Sequence, residues 1–354
     1  MDGLEKGTNQ KGLKWNCETW YCVEQFLKVA TKEEKKAFFD LVKKNSIGLS
    51  ANYLNFNDLA DCEYLTEKIH DMQEVCAEEG ITVKTAMFAD INGISMGQRD
   101  AMLANGVEFL YTNIHTHHGM YPLYQNQKPY FWENEDGKRL LVWSGEHYNL
   151  GNALGIVFNK NVNFMTENYF GKAQGDAAGA LEKLHSNLIA SMEEYEENGY
   201  PYDFYITSVS GVFSDNAPIN PSIADTVALF NEKYSEEVTL RMVTLQELGY
   251  QTGVIPETGR ELYDLIRNKV ADAPVYRGAI NDWWGNGVGS TPYAVKHYKE
   301  AVRLNRICDR LEEKTGVHNA ELVKAYGDNS LLYAEHTWGH SATVTNPYDT
   351  MVTN

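Results

Sequence analysis

The chain is short of paired cysteines, of positive charge and of long apolar runs, and each shortage closes off a class of protein. Its five cysteines, Cys17, Cys22, Cys62, Cys76 and Cys308, are scattered, odd in number and without a C-x-x-C pair. That pattern argues against a disulfide framework and against a thiolate zinc site, so reduced and mostly buried thiols are expected. Lysine and arginine total 31 against 49 aspartates and glutamates, a net charge of −18. Such a surface repels phosphates, so neither nucleic acid nor an anionic membrane surface is an expected partner. No apolar run reaches the ~20 residues of a membrane helix. The start, "MDGLEKGTNQKGLKW", has no signal-peptide pattern, so the chain reads as cytoplasmic or as lacking a leader. G-x-S-x-G, Walker and nicotinamide-cofactor fingerprints are missing too. Nothing indicates an oligomeric state.

What is present is an ordinary α/β composition: 354 residues, 43% hydrophobic and 23% charged, with 22 tyrosines and 7 tryptophans. That is enough for a large core, and the rings suit either sugar stacking or packing. "WYCVEQFLKVATKEEKKAFFDLVKKN" has the three- and four-residue steps of an amphipathic helix. "SIGLSANYL", "ITVKTAMFAD", "VEFLYTN", "KRLLVWSG", "YDFYITSVS" and "EEVTLRMVT" read as strands, with helices between most of them. This alternation predicts a parallel sheet or barrel with right-handed crossovers. From about Pro292 two helical stretches follow each other without a strand. They predict a helical hairpin beside an α/β body.

In α/β folds the site lies at the carboxyl ends of the strands. Residues following predicted strands are therefore the candidates: Asp90 in "ADINGIS", His115 and His117 in "NIHTHHGMYP", Glu146 and His147 in "EHYN", and Asp215 in "VFSDNAPIN". Trp283 and Trp284 in "GAINDWWGNG" and His336 in "LLYAEHTWGH" join them. Each has a plain alternative. Asp90 suits a turn and Asp215 a helix start. The two tryptophans suit a core. His336 suits a helix end, where the dipole favours a cation.

Together these segments resemble the catalytic region of family-38 glycoside hydrolases, the α-mannosidase-like enzymes, from about residue 14 to 345. "WNCETWYCVEQFL" is similar to that family's early strand-to-helix segment. "FADINGIS" resembles its aspartate-bearing turn, and "GAINDWWGNGVGSTPYAVKHYKEAVRLNR" its entry into a helical segment. "LLYAEHTWGH" resembles the end of its third helix. The resemblance implies an incomplete seven-stranded β/α barrel of the glycoside hydrolase and deacetylase type over residues 1–290. A helical segment, part of a bundle, is implied over 291–354.

For function, the resemblance implies retaining hydrolysis of a carbohydrate, with a zinc ion in the pocket. Asp90 matches the nucleophile and a metal ligand, His336 the helical histidine ligand, and Asp215 the general acid/base. His115, His117, Trp283, Trp284 and Thr337 would line the sugar site, although Thr337 stands where the family has aspartate. Retention needs two carboxyl groups about 5–5.5 Å apart, and histidine and carboxylate are ordinary zinc ligands. The family's H-x-D on its first strand is not found. The chain begins about where the second strand is expected, so it reads as a fragment; alternatively His115 or His117 replaces the lost ligands, or the metal site is gone. Two other readings stay open. One is a metal-dependent polysaccharide deacetylase, whose H-x-x-x-H is approached only by His336 and His340. The other is a non-catalytic carbohydrate-binding remnant.

Overall fold

The computed structural model describes residues 12–90, 93–114, 126–148, 150–157, 177–210, 219–249, 270–280, 288–289 and 291–336. Strand β1 (Trp15–Cys17) leads into α1 (Trp20–Val29) and α2 (Lys32–Lys43). The sequence reads here as one amphipathic stretch, but Thr31 breaks it. Its hydroxyl accepts the Glu34 N–H at 3.2 Å while the Glu34 carboxylate accepts the Thr31 N–H at 2.8 Å. This reciprocal cap satisfies donors that a new helix leaves open, and so favours a fresh start over continuation.

Strand β2 (Ile47–Leu49) pairs in parallel with β1, and α3 (Cys62–Glu78) follows, capped by Asp61, whose carboxylate accepts the Tyr64 N–H at 3.3 Å. Then come β3 (Thr85–Asp90), α4 (Met96–Ala104) and β4 (Phe109–Ile114). A hairpin comes next: its second strand, β6 (Arg139–Ser144), is the one expected in "KRLLVWSG", its first, β5 (Lys128–Glu133), is not revealed by the strand pattern, and the turn is at Gly137 with φ +77°. Strand β7 (Val275–Tyr276) completes a mixed five-stranded sheet of order β3-β4-β6-β5-β7, antiparallel only at β5–β6.

The helices beyond β6 are α5 (Leu150–Leu154), α6 (Ala177–Glu197), α7 (Ser222–Tyr234), α8 (Leu245–Gly249), α9 (Pro292–Thr315) and α10 (Ala320–Ala334). One apolar cluster joins α1, α2, α3 and one face of the sheet through Val42, Leu49, Ile69, Phe88 and Trp132. Another lies on the opposite face around Phe109, Tyr111, Leu141 and Trp143. A third joins α6 and α7 through Leu184, Leu188 and Phe230.

The fold is thus α/β with mixed sheets, and among the described residues no closed barrel is formed. Two stretches expected as strands, in "YDFYITSVS" and "EEVTLRMVT", carry no backbone ladder. Side-chain amides hold them instead. Gln127 donates to the Ile206 carbonyl at 2.6 Å and accepts the Ile206 N–H at 3.2 Å. Asn16 donates to the Val243 carbonyl at 3.2 Å and accepts the Leu245 N–H at 2.9 Å. A primary amide offers the same donor–acceptor pair as a peptide unit, so the buried backbone is satisfied without register pairing.

The cysteines depart from expectation as well. All five are free thiols, but only Cys76 is buried, while Cys22 and Cys308 are exposed. Among the described residues no helix is long and apolar enough to cross a membrane.

Candidate active site

Asp90 is delivered by the sheet. It is the last residue of β3 and pairs in register with Ile114 at the end of β4, so it stands at the carboxyl edge where α/β sites form. Its φ is +74°, a left-handed conformation that costs a non-glycine residue about 1–3 kcal/mol. Aspartate tolerates it better than most residues do, and the strain persists only where neighbours over-determine the backbone. The ladder to β4 is one such constraint.

His336 is delivered by a helix. α10 stops at Ala334, whose carbonyl accepts the Asn57 N–H at 3.0 Å, and the His336 N–H donates to the Asn55 carbonyl at 2.9 Å. Between them Glu335 makes an antiparallel bridge with Phe56. These contacts press the chain just past α10 against the loop following β2 and bury His336 to 9% exposure.

The two side chains meet although 246 positions separate them. The His336 Nε2 lies 2.7 Å from Asp90 Oδ2, and Glu335 Oε1 lies 2.6 Å from the His336 Nδ1. Burial by itself pushes the imidazole pKa down and is the largest single influence. The bonds to Asp90 and Glu335 together outweigh it and hold the ring up at about 10. At neutral pH the group is an imidazolium between two carboxylates.

A third carboxylate belongs to the same cluster and has no local sequence signature. Glu18, one residue past β1, accepts from the Asn55 side-chain amide at 2.5 Å and from the Ala89 N–H at 3.1 Å. Burial raises its carboxyl above the usual range; the bonds from Asn55 and Ala89 and the charge of His336 work against that, and the charge of Asp90 adds to it. The clue in the sequence was position alone, a carboxylate directly after a strand. Glu146, singled out for the same reason, accepts from the Asn126 amide at 2.9 Å, and burial raises its carboxyl too. The end of β6 is two strand spacings, about 10 Å, from the end of β3.

Asp215, His115, His117, Trp283, Trp284 and Thr337 lie outside the described residues. Three of the stretches bearing them depart from positions around the cluster. Ile114 is the ladder partner of Asp90, Ile280 is bridged to Ile94 just past the Asp90 turn, and Thr337 follows His336. The first strand described, β1, carries Trp15, Asn16 and Cys17 and no H-x-D. Among the described residues no group of three or more histidine, cysteine, aspartate or glutamate side chains is arranged to hold a metal ion.

No family model matches the chain, and no curated protein matches it in sequence. Solved structures do resemble it. An alpha-mannosidase from Enterococcus faecalis V583 superposes with a TM-score of 0.52 at 17% identity, over 79% of this chain and 27% of that one. A 4-alpha-glucanotransferase from Thermococcus litoralis gives a TM-score of 0.37 at 11% identity, over 78% and 34% of the two chains. An alpha-amylase from Thermotoga maritima also gives 0.37, at 13% identity, over 81% and 60%. The chain therefore spans about a quarter of the mannosidase's length, and at this identity the mannosidase comparison speaks to the fold.

Proposed function

We propose that the chain carries the active-site region of a retaining, α-mannosidase-like glycoside hydrolase, with Asp90 as nucleophile and Asp215 as general acid/base. The observation that supports this most is the meeting of Asp90 and His336 at the carboxyl edge of the sheet, from positions 246 residues apart. The fold shared with the Enterococcus mannosidase supports it further. In this reading the Asp90 carboxylate attacks the anomeric carbon while Asp215 protonates the departing oxygen. Asp215 then takes a proton from the water that releases the sugar. The imidazolium of His336 favours the ionised form of Asp90 and fixes the orientation of its carboxyl group, as nucleophilic attack requires. His115, His117, Trp283, Trp284 and Thr337 would contact the sugar, and residues 291–354 would form a helical unit beside the α/β body.

Zinc is part of the proposal as an ion on Asp90 and His336 that would take the place of the proton on His336 Nε2, with Glu335 as the outer partner of the ring. The described residues do not complete such a centre. Two donors fall short of the three or four that zinc sites use, and these two are already bonded to each other. No step above depends on the metal. Calorimetric titration of the purified chain with zinc is expected to show weak binding; tight, stoichiometric binding would mean that further donors, His115 or His117 among them, complete the site.

The test of the reaction is covalent. A 2-deoxy-2-fluoro glycosyl fluoride of mannose should trap a glycosyl ester on the peptide containing Asp90. Asp90→Asn should lower kcat on aryl mannosides on the order of 10³-fold or more. Release of acetate from acetylated oligosaccharides, with no turnover of aryl glycosides, would replace this reading with a deacetylase.

A further inference from the structure

One half of the proposed site is tied to Glu18 directly and the other through Asn55. Glu18 Oε1 accepts the N–H of Ala89, the residue before Asp90, and also the Asn55 side-chain amide. Asn55 in turn accepts the His336 N–H on its backbone carbonyl, and its side-chain oxygen accepts from Asn52 at 2.8 Å. Asn52 and Tyr53 receive the first N–H groups of α1, from Trp20 at 2.7 Å and Tyr21 at 3.0 Å. The loop after β2 and the end of β3 therefore meet on this one side chain at the end of β1, and the segment after α10 joins them through Asn55. We infer that Glu18 is a positioning residue: its carboxylate oxygen holds the strained Asp90 backbone and the His336 backbone in register, so that the two side chains stay in contact.

The competing possibility is that the negative charge of Glu18, not its reach, is what the site uses. Geometry separates the two. Glutamine in place of glutamate keeps an acceptor oxygen at the same distance and loses the charge. Aspartate keeps the charge and withdraws the oxygen by one methylene, about 1.5 Å. Misplacing reacting groups by about 1 Å costs up to 10²-fold in rate.

The inference rests on the glycosidase reading for its kinetic form, so the test has two readouts. In turnover of aryl mannosides, Glu18→Gln should stay within about threefold of the parent kcat. Glu18→Asp should lose about 10- to 100-fold in kcat with KM within about twofold. With ¹⁵N-labelled histidine, the hydrogen-bonded Nε2 proton of His336 should persist in Glu18→Gln and broaden or vanish in Glu18→Asp. If the parent chain turns over no glycoside, the proposed function fails while the imidazole signal still decides the positioning role. Three outcomes overturn it: the opposite order of the two variants, equal damage in both, or no change in either.

Discussion

Asp90 and His336 reach the same point by two different kinds of construction. Asp90 sits at the end of a six-residue parallel ladder whose faces are filled by residues such as Phe88 and Leu110, both fully buried. His336 sits past a helix that buries Leu331 and Ala334 in the main core and meets α3 through polar contacts and one close approach. Gly327 of α10 lies against the Tyr64 ring, where an added Cβ would come within 2.0 Å of a ring carbon. Around it Lys68 Nζ meets Asp328 at 2.7 Å, the Tyr64 hydroxyl donates to Asp328 at 3.2 Å, and the Tyr326 hydroxyl donates to Asp61 at 3.0 Å. Backbone ladders tolerate side-chain change because the bonds belong to the chain itself. A docked helix depends on particular side chains, so the histidine side of the site is the easier one to displace.

The sharpest way to break this asymmetry is Gly327→Ala. The methyl has no room beside Tyr64, so the ring or α10 must shift, at a cost of about 3 kcal/mol. Thermal unfolding should show that loss, and the hydrogen-bonded His336 Nε2 signal should disappear. A similar substitution on the Asp90 side, Leu110→Val, should cost about 1 kcal/mol and leave that signal intact. If both variants spare the signal, the asymmetry is wrong.

A smaller effect is expected at Asp328. Burial works to raise its carboxyl, yet the bonds from Lys68 and Lys324 win and hold it below its ordinary value of 3.8. A depressed carboxylate contributes stability that is fully present above the unfolded-state pKa and is lost as pH falls through the folded one. Denaturant titrations should therefore show this contribution at pH 6, shrinking as the pH falls below about 4. Asp328→Asn should remove about 1–2 kcal/mol at pH 6, below the range for broken buried pairs because Asp328 is a third exposed and Glu24 also stands near Lys68. It should also flatten the acid limb. An unchanged acid limb would show that the pair contributes nothing to the docking of α10.

The smallest effect belongs to Tyr326→Phe, which deletes one partly buried hydrogen bond to the α3 cap residue. A loss of about 0.5–1.5 kcal/mol is expected in the same titrations. A larger loss would place Asp61 at the centre of the seam rather than Gly327.

Much of the helical structure was legible without coordinates. α3, α4, α7, α9 and α10 follow from apolar spacing and from end signals such as Gly80, Gly106 and Pro292. The break at Thr31 was legible too, as the pattern T-x-x-E, but the long apolar period concealed it. Strands were less secure. Residues around Ile206 and Val243 have the β-branched and aromatic content of strands, yet they lack ladders, because Gln127 and Asn16 supply what a neighbouring strand would.

The sequence by itself determined which residue types follow β3, β4 and β6 and where most of the helices stop, because capping and periodicity are local and act through neighbours a few positions away. It also offered Asp90 and His336 as a pair, but only through likeness to a family. That the two touch, that Glu335 flanks the imidazole and that Glu18 ties both backbones together was decided by tertiary structure alone. Those contacts join residues up to 246 positions apart, and hydrogen bonds at such separations leave no periodic trace in the chain.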